Sequence, residues 1–161
     1  MRLPESGTAF AHGHDGEKVW FGLLYLRERL AAVVDEALQA EHDLPLSWFE
    51  VLLRLASCRA AGEPYVSVSS VAGSVLLSPS RVSRVIDGLE KRGLVTRKKG
   101  ERDGRVSRVA LTEAGLALYE AADKTHRRLV NERLLEKITP EEATTIAHVW
   151  RRLLGEEADF T

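Results

Sequence analysis

The side chains of this 161-residue chain best equipped for chemistry are cations. Ten of its Lys and Arg lie between positions 78 and 108: Arg81, Arg84, Lys91, Arg92, Arg97, Lys98, Lys99, Arg102, Arg105 and Arg108. Four acids share that window (Asp87, Glu90, Glu101, Asp103), so it carries +6 while the remainder, thirteen bases against twenty acids, carries −7. A basic block on an acidic body is what a polyanion-binding face needs, because its cations displace the counterions condensed on phosphates. A solvated charged surface is the alternative, and charge alone does not exclude it. Within the block, Ser78, Ser80 and Ser83 are interleaved with Arg81 and Arg84. Hydroxyls and free N–H groups at the start of a helix bond phosphate oxygens, and an arginine fork reaches phosphates or guanine edges. Further on, Arg102, Asp103 and Arg105 combine cations suited to the minor groove with a carboxylate able to orient Arg105. Without DNA, that pair is an exposed ion pair worth ~0–1 kcal/mol.

Other chemistries find little support. There is no phosphate-binding glycine loop, HExxH or nucleophile elbow, and the five histidines and one cysteine are scattered, so no enzyme is expected. Cys58 has no partner for an internal disulfide and reads as a buried structural residue, with Arg54 and Arg59 nearby the one feature favouring reactivity. Glu41-His42, His12-x-His14 and His126, which has Ala122 and Val130 one turn away, make no ligand cluster, so neither metal nor cofactor is expected. No apolar run approaches the ~20 residues of a membrane helix. Residues 1–17 hold Gly, His, Ser and acids instead of a signal segment, so they read as a flexible arm on a cytoplasmic protein.

Hydrophobic periodicity supplies the elements that position these residues. Trp20, Leu23, Leu24, Ala31, Val34, Ala37 and Leu38 predict a long helix over 18–41, ended by His42-Asp43-Leu44-Pro45. At roughly 36 Å such a helix is long for a small domain, so part of it is expected to pack on another subunit. Ser47 and Glu50 have capping-box spacing, with Leu46 and Val51 as a staple, for a helix over 48–59. Ser67 caps a short helix to 75, and Leu76-Leu77 makes a turn. Ser78 then caps, and Pro79 opens, a helix to 92 that stops at Gly93. Its apolar positions Val82, Val85, Ile86 and Leu89 leave Ser80, Ser83, Arg84 and Asp87 facing outward, with Arg81 near the entrance. Strands over 94–99 and 106–111 flank a turn at Asp103-Gly104. Thr112 caps a helix over 113–136, and Thr139-Pro140-Glu141-Glu142 opens a last one to 154. The expected fold is mainly α with a small β-hairpin wing: a winged helix-turn-helix plus a helical region.

Two stretches carry a family resemblance. Asp103-x-Arg105-x-x-x-Val109-x-Leu111-Thr112-x-x-Gly115 resembles the wing-to-helix motif of the MarR family, and 77–95, Leu-Ser-Pro-Ser-Arg-Val-Ser-Arg-Val-Ile-Asp-Gly-Leu-Glu-Lys-Arg-Gly-Leu-Val, its recognition helix and exit. The element order agrees over 18–154. The resemblance implies a MarR-type domain over 18–155, with a winged helix-turn-helix at 67–112 and dimerisation helices at 18–41 and 113–154. It further implies a homodimer that binds a pseudo-palindrome in double-stranded DNA, commonly as a repressor released by a small anionic or phenolic ligand, a metal or an oxidant. Ser78, Ser80, Arg81, Ser83 and Arg84 take the recognition-helix role, and Arg102, Asp103 and Arg105 the wing role. Gly104 departs from the family, where a second basic residue is common, which puts the strength of the wing contact in doubt. A small-molecule effector is expected between the dimer region and the DNA-binding lobe, where Trp20, Trp48 and Arg54 are candidates, and Trp150 reads as an interface anchor. The competing class is a winged helix that binds protein instead of DNA.

Overall fold

A computed structural model describes residues 11–99 and 107–155 of the chain. Helix α1 runs Gly13–His42 and α2 Leu46–Ala60; a two-residue strand β1, Val66–Ser67, leads into α3, Val68–Ser74. Helix α4 spans Pro79–Lys91, strands β2 and β3 are Val95–Lys99 and Ser107–Leu111, and α5 covers Glu113–Arg133. A 3₁₀ turn, Leu135–Lys137, precedes α6, Pro140–Leu154. This is a winged-helix arrangement.

The core forms where the periodic faces of α2, α4 and α5 meet the sheet. Phe49, Leu52, Leu55, Val82, Ile86, Leu89 and Val109 lose nearly all contact with water there. The sheet is antiparallel in the order β1-β3-β2, with Val66 opposite Val109 and Val109 opposite Arg97. The next row, Ser67, Arg108 and Lys98, points to the other face, since strand side chains alternate. The strand β1, Val66–Ser67, is absent from the sequence expectation.

Several ends are capped as their sequences predict. Ser67 Oγ accepts from Ser70 N (3.1 Å), and Thr139 and Glu142 form a complete capping box. Gly93 sits at φ +70°, where a Cβ is strained, and the N–H groups of Gly93 and Leu94 bond back to Glu90 and Leu89, a Schellman ending for α4. Thr112 Oγ1 accepts from Gly115 N (3.0 Å) and donates to Gly93 O (2.8 Å), so one hydroxyl ties the end of α4 to the start of α5.

Other expectations are corrected. Helix α1 begins at Gly13, not 18, so residues 13–17 of the expected arm are helical, supported by Lys18–Asp15 and His14–Glu17 pairs. Ser47 does not cap α2: Pro45 holds that position and Ser47 lies inside the helix. A free N–H of the first turn, that of Leu46, is instead satisfied by Asp35 Oδ1 of α1 at 2.6 Å, so a neighbouring helix supplies the cap. Ser78 is at the N-cap of α4, but its hydroxyl lies 3.3 Å from Ser80 Oγ and makes no capping bond. Helix α5 ends at Arg133, three residues before the expected 136.

Candidate nucleic-acid interface

Helix α4 is two-sided because its apolar residues recur at three- and four-residue steps. Val82, Val85, Ile86 and Leu89 are buried, while Ser80, Arg81, Ser83, Arg84 and Asp87 are exposed. The predicted recognition-helix residues Ser78, Ser80, Arg81, Ser83 and Arg84 are thus brought together at one exposed helix end, where unbonded N–H groups add a favourable field for anions. Arg84 Nε lies 3.4 Å from Ser80 O, which lays its stem along the helix. Arg81 stands near Glu50 of α2. Burial pushes the Glu50 carboxyl above its ordinary value, and the fields of Arg27 on α1 and Arg81 on α4 pull it back.

The rear of α4 is fastened by cations that the sequence counted only as charge. Arg92 donates to Asp43 O (2.8 Å), lies 3.6 Å from Asp43 Oδ2, and stacks 5.6 Å from the centre of the Trp48 ring. Arg97 is ion-paired with Asp87 and Glu90. Neither partnership is legible in the sequence, because Arg97 reaches back across the turn that ends α4 and Arg92 meets a residue 49 positions away at the end of α1. On the outer face of the sheet, Lys98 stands 4.2 Å over the Tyr65 ring beside Arg108. A cavity of about 570 Å³ opens there, lined by Glu63, Tyr65, Ser67, Ser70 and Arg108 among others. The predicted wing residues Arg102, Asp103 and Arg105 lie outside the described residues.

The three effector candidates differ in environment. Trp48 packs against α4 so closely that a Cβ on Gly88 would come within 2.5 Å of its ring. It borders a groove of about 490 Å³ whose other walls are Pro45, Ser47, Arg81, Arg84 and Val85. Trp20 stands exposed on the N-terminal half of α1, away from the core, and Arg54 has a buried Nε with no hydrogen-bond partner among the described residues. Cys58 is free and buried. The Glu41 carboxylate accepts from Thr125 (2.6 Å) and Arg128 (3.0 Å), and His42 bonds the same Thr125 hydroxyl (2.9 Å), which fastens α1 to α5. Among the described residues no cluster of three or more His, Cys, Asp or Glu side chains could hold a metal, and no helix is long and apolar enough to cross a membrane.

The model of the MarR family matches residues 52–107. The HTH-type transcriptional regulator PecS of Dickeya dadantii (strain 3937) is 30% identical over 132 residues, 79% of this chain and 74% of that protein. The HTH-type transcriptional repressor MdtR of Bacillus subtilis (strain 168) is 31% identical over 63% of this chain and 64% of its own. Among solved structures, AbsC, a MarR family regulator from Streptomyces coelicolor, superposes with a TM-score of 0.79 at 24% identity, covering 91% of this chain and 96% of that one. Sco3205 from the same organism, solved in complex with DNA, gives 0.78 at 22% identity, covering 88% and 90%. At these identities the structures establish the shared fold.

Proposed function

Because this chain belongs to the MarR family of DNA-binding transcriptional regulators, we propose that it works as a ligand-responsive repressor, two copies of it binding a pseudo-palindromic operator. The observation that carries the reading is the exposed Ser80, Arg81, Ser83 and Arg84 stripe on a helix whose opposite face is fully buried. Such a helix fits the ~12 Å major groove, the serines and Arg84 meeting phosphates and Arg81 a phosphate or base edge. The wing residues Arg102, Asp103 and Arg105 extend the contact into the adjacent minor groove.

The second copy is supported by apolar surface left uncovered at both ends of the chain. Val19, Trp20, Leu23, Leu24, Tyr25 and Leu26 of α1 are all exposed. Helix α6 has no buried residue and exposes Ile146, Leu153 and Leu154. A monomer rarely leaves so much contiguous apolar area in water. Covering it with a twofold partner sets two recognition helices one DNA turn, about 34 Å, apart.

The groove beside Trp48 is the effector site this reading favours. An aromatic acid stacked on Trp48 would engage Arg81 and Arg84, the cations that DNA requires, so effector and operator would bind at each other's expense. Repression agrees with the name of MdtR. The site of action is the cytoplasm.

The test is a fluorescence-anisotropy titration against DNA from upstream of the protein's own gene, with scrambled duplex as control, at about 0.15 M salt. Binding on the order of 10³-fold tighter than to the control, at two chains per site, is expected. Affinity equal to the control, with no enrichment of any site from random duplexes, overturns the proposal and turns attention to a protein partner.

A further inference from the structure

The exposed stripe of α4 carries acids as well as cations. Beyond Ser80, Ser83 and Arg84, the helical three- and four-residue steps lead to Asp87 and then Glu90, both exposed. Left unpaired, they would stand two negative charges per protomer beside DNA phosphates. They are paired from behind. Arg97 of β2 forms an ion pair with Asp87 and holds its Nε 3.3 Å from Glu90 Oε2. Its cross-strand partner is the fully buried Val109, so its stem leaves the core-facing side of the sheet. Its side chain is 30% exposed, against 51% for Asp87. The guanidinium therefore meets the carboxylates on the side nearer the protein body.

We infer that Arg97 is a positioning residue for DNA binding: it cancels and restrains the Asp87 and Glu90 carboxylates on the recognition helix without itself touching DNA. The inference rests on α4 being the helix that meets DNA. Cations of the basic block thus divide by role. Arg81 and Arg84 attract phosphates directly, whereas Arg97 keeps like charges from opposing them, and such juxtaposed charges are costly at an interface.

The test compares wild type, Arg97→Met, Arg97→Lys and the triple variant Arg97→Met/Asp87→Asn/Glu90→Gln, with folding checked by circular dichroism and affinity read by anisotropy on the selected operator. Arg97→Met is expected to weaken binding about tenfold at 0.15 M salt, with the loss shrinking at 0.5 M as the carboxylates are screened. The triple variant, which has neither the cation nor the carboxylates, is expected within about threefold of wild type, as is Arg97→Lys, which keeps the charge. A folded triple variant as weak as Arg97→Met would overturn the inference, because Arg97 would then contact DNA or act only as a clamp. Unchanged affinity in Arg97→Met would overturn it too, and should that variant not fold, Arg97→Lys decides: a tenfold loss there shows that geometry, not charge, matters. Failure of wild type to bind any duplex would remove the DNA-binding reading and this inference with it, an outcome distinct from all of these.

Discussion

Replacing Gly115 by alanine sets two effects against each other. Gly115 lies in the first turn of α5, and alanine there is intrinsically better for a helix by up to ~1 kcal/mol. The added Cβ, however, would lie 1.9 Å from Leu94 O, 2.9 Å from Leu94 C and 3.2 Å from Leu111 Cδ2. Real Cβ atoms essentially never come closer than 3.0 Å, so the backbone of Leu94 must retreat by about 1.1 Å. It is not free to do so: Leu94 O accepts from Thr112 N (3.1 Å), and the neighbouring Gly93 O accepts from Thr112 Oγ1 (2.8 Å). Overpacking costs about 1–3 kcal/mol, and weakening the two hydrogen bonds adds about 1 kcal/mol each. The clash wins, with a net loss of about 2–4 kcal/mol out of a typical 5–15. For a chain of this length that corresponds to a fall in Tm of roughly 5–15 °C. Thermal unfolding of the two proteins by circular dichroism at equal concentration measures it. A Tm equal to or above that of wild type would refute the reasoning, since propensity would then have outweighed the contact.

Three further outcomes are expected. Arg84→Ala should weaken operator binding and make the plot of log K against log salt shallower by about one phosphate's contribution; an unchanged slope removes Arg84 from the phosphate contacts. Leu23→Glu with Leu153→Glu should place a charge on each uncovered apolar face and shift the protein towards monomer in sedimentation equilibrium, whereas an undisturbed dimer would place the interface elsewhere. The third concerns pH. Burial beside Phe49, whose ring centre is 4.9 Å away, holds the His126 imidazole below its ordinary value near 6.5, with Asp123 opposing and Arg127 assisting. The unfolded chain therefore takes up a proton before the native one, so this contribution to stability is present above about pH 6.5 and is lost as pH falls below it. His126→Phe should flatten the fall in Tm between pH 7 and 5.5, and an unaltered slope would assign it to other groups.

What could be read from the chain alone was what neighbours in sequence decide. The buried face of α4, the Gly93 exit and the caps at Ser67, Thr112 and Thr139 all follow from residues within one or two turns, and so did the grouping of the recognition-helix side chains. The misses are non-local. Strand β1 is two residues long and exists only because β3 lies beside it. The Ser47–Glu50 spacing suggested a cap, but Asp35, across the helix break, reached the Leu46 N–H instead. The basic window was counted as +6 of available charge, yet Arg92 and Arg97 spend theirs on Asp43, Asp87 and Glu90. A sequence gives the number of charges in a segment; which of them face a ligand depends on what folds against them.

The small sheet has a bearing on the protein's survival at high concentration. An antiparallel sheet ends in two strands with unpaired N–H and C=O groups, and a flat, long, apolar edge invites strands from other molecules. Here one edge is β1, Val66–Ser67, too short to template a partner and already committed at Ser67 to the start of α3. The other edge is β2, Val-Thr-Arg-Lys-Lys; Arg97 is held by Asp87 and Glu90, and the two lysines repel a second copy of the strand. The residues that give the chain its basic block therefore also guard the sheet against edge-to-edge aggregation. Neutralising β2 to tune DNA binding would carry a solubility cost even where the fold itself is undisturbed.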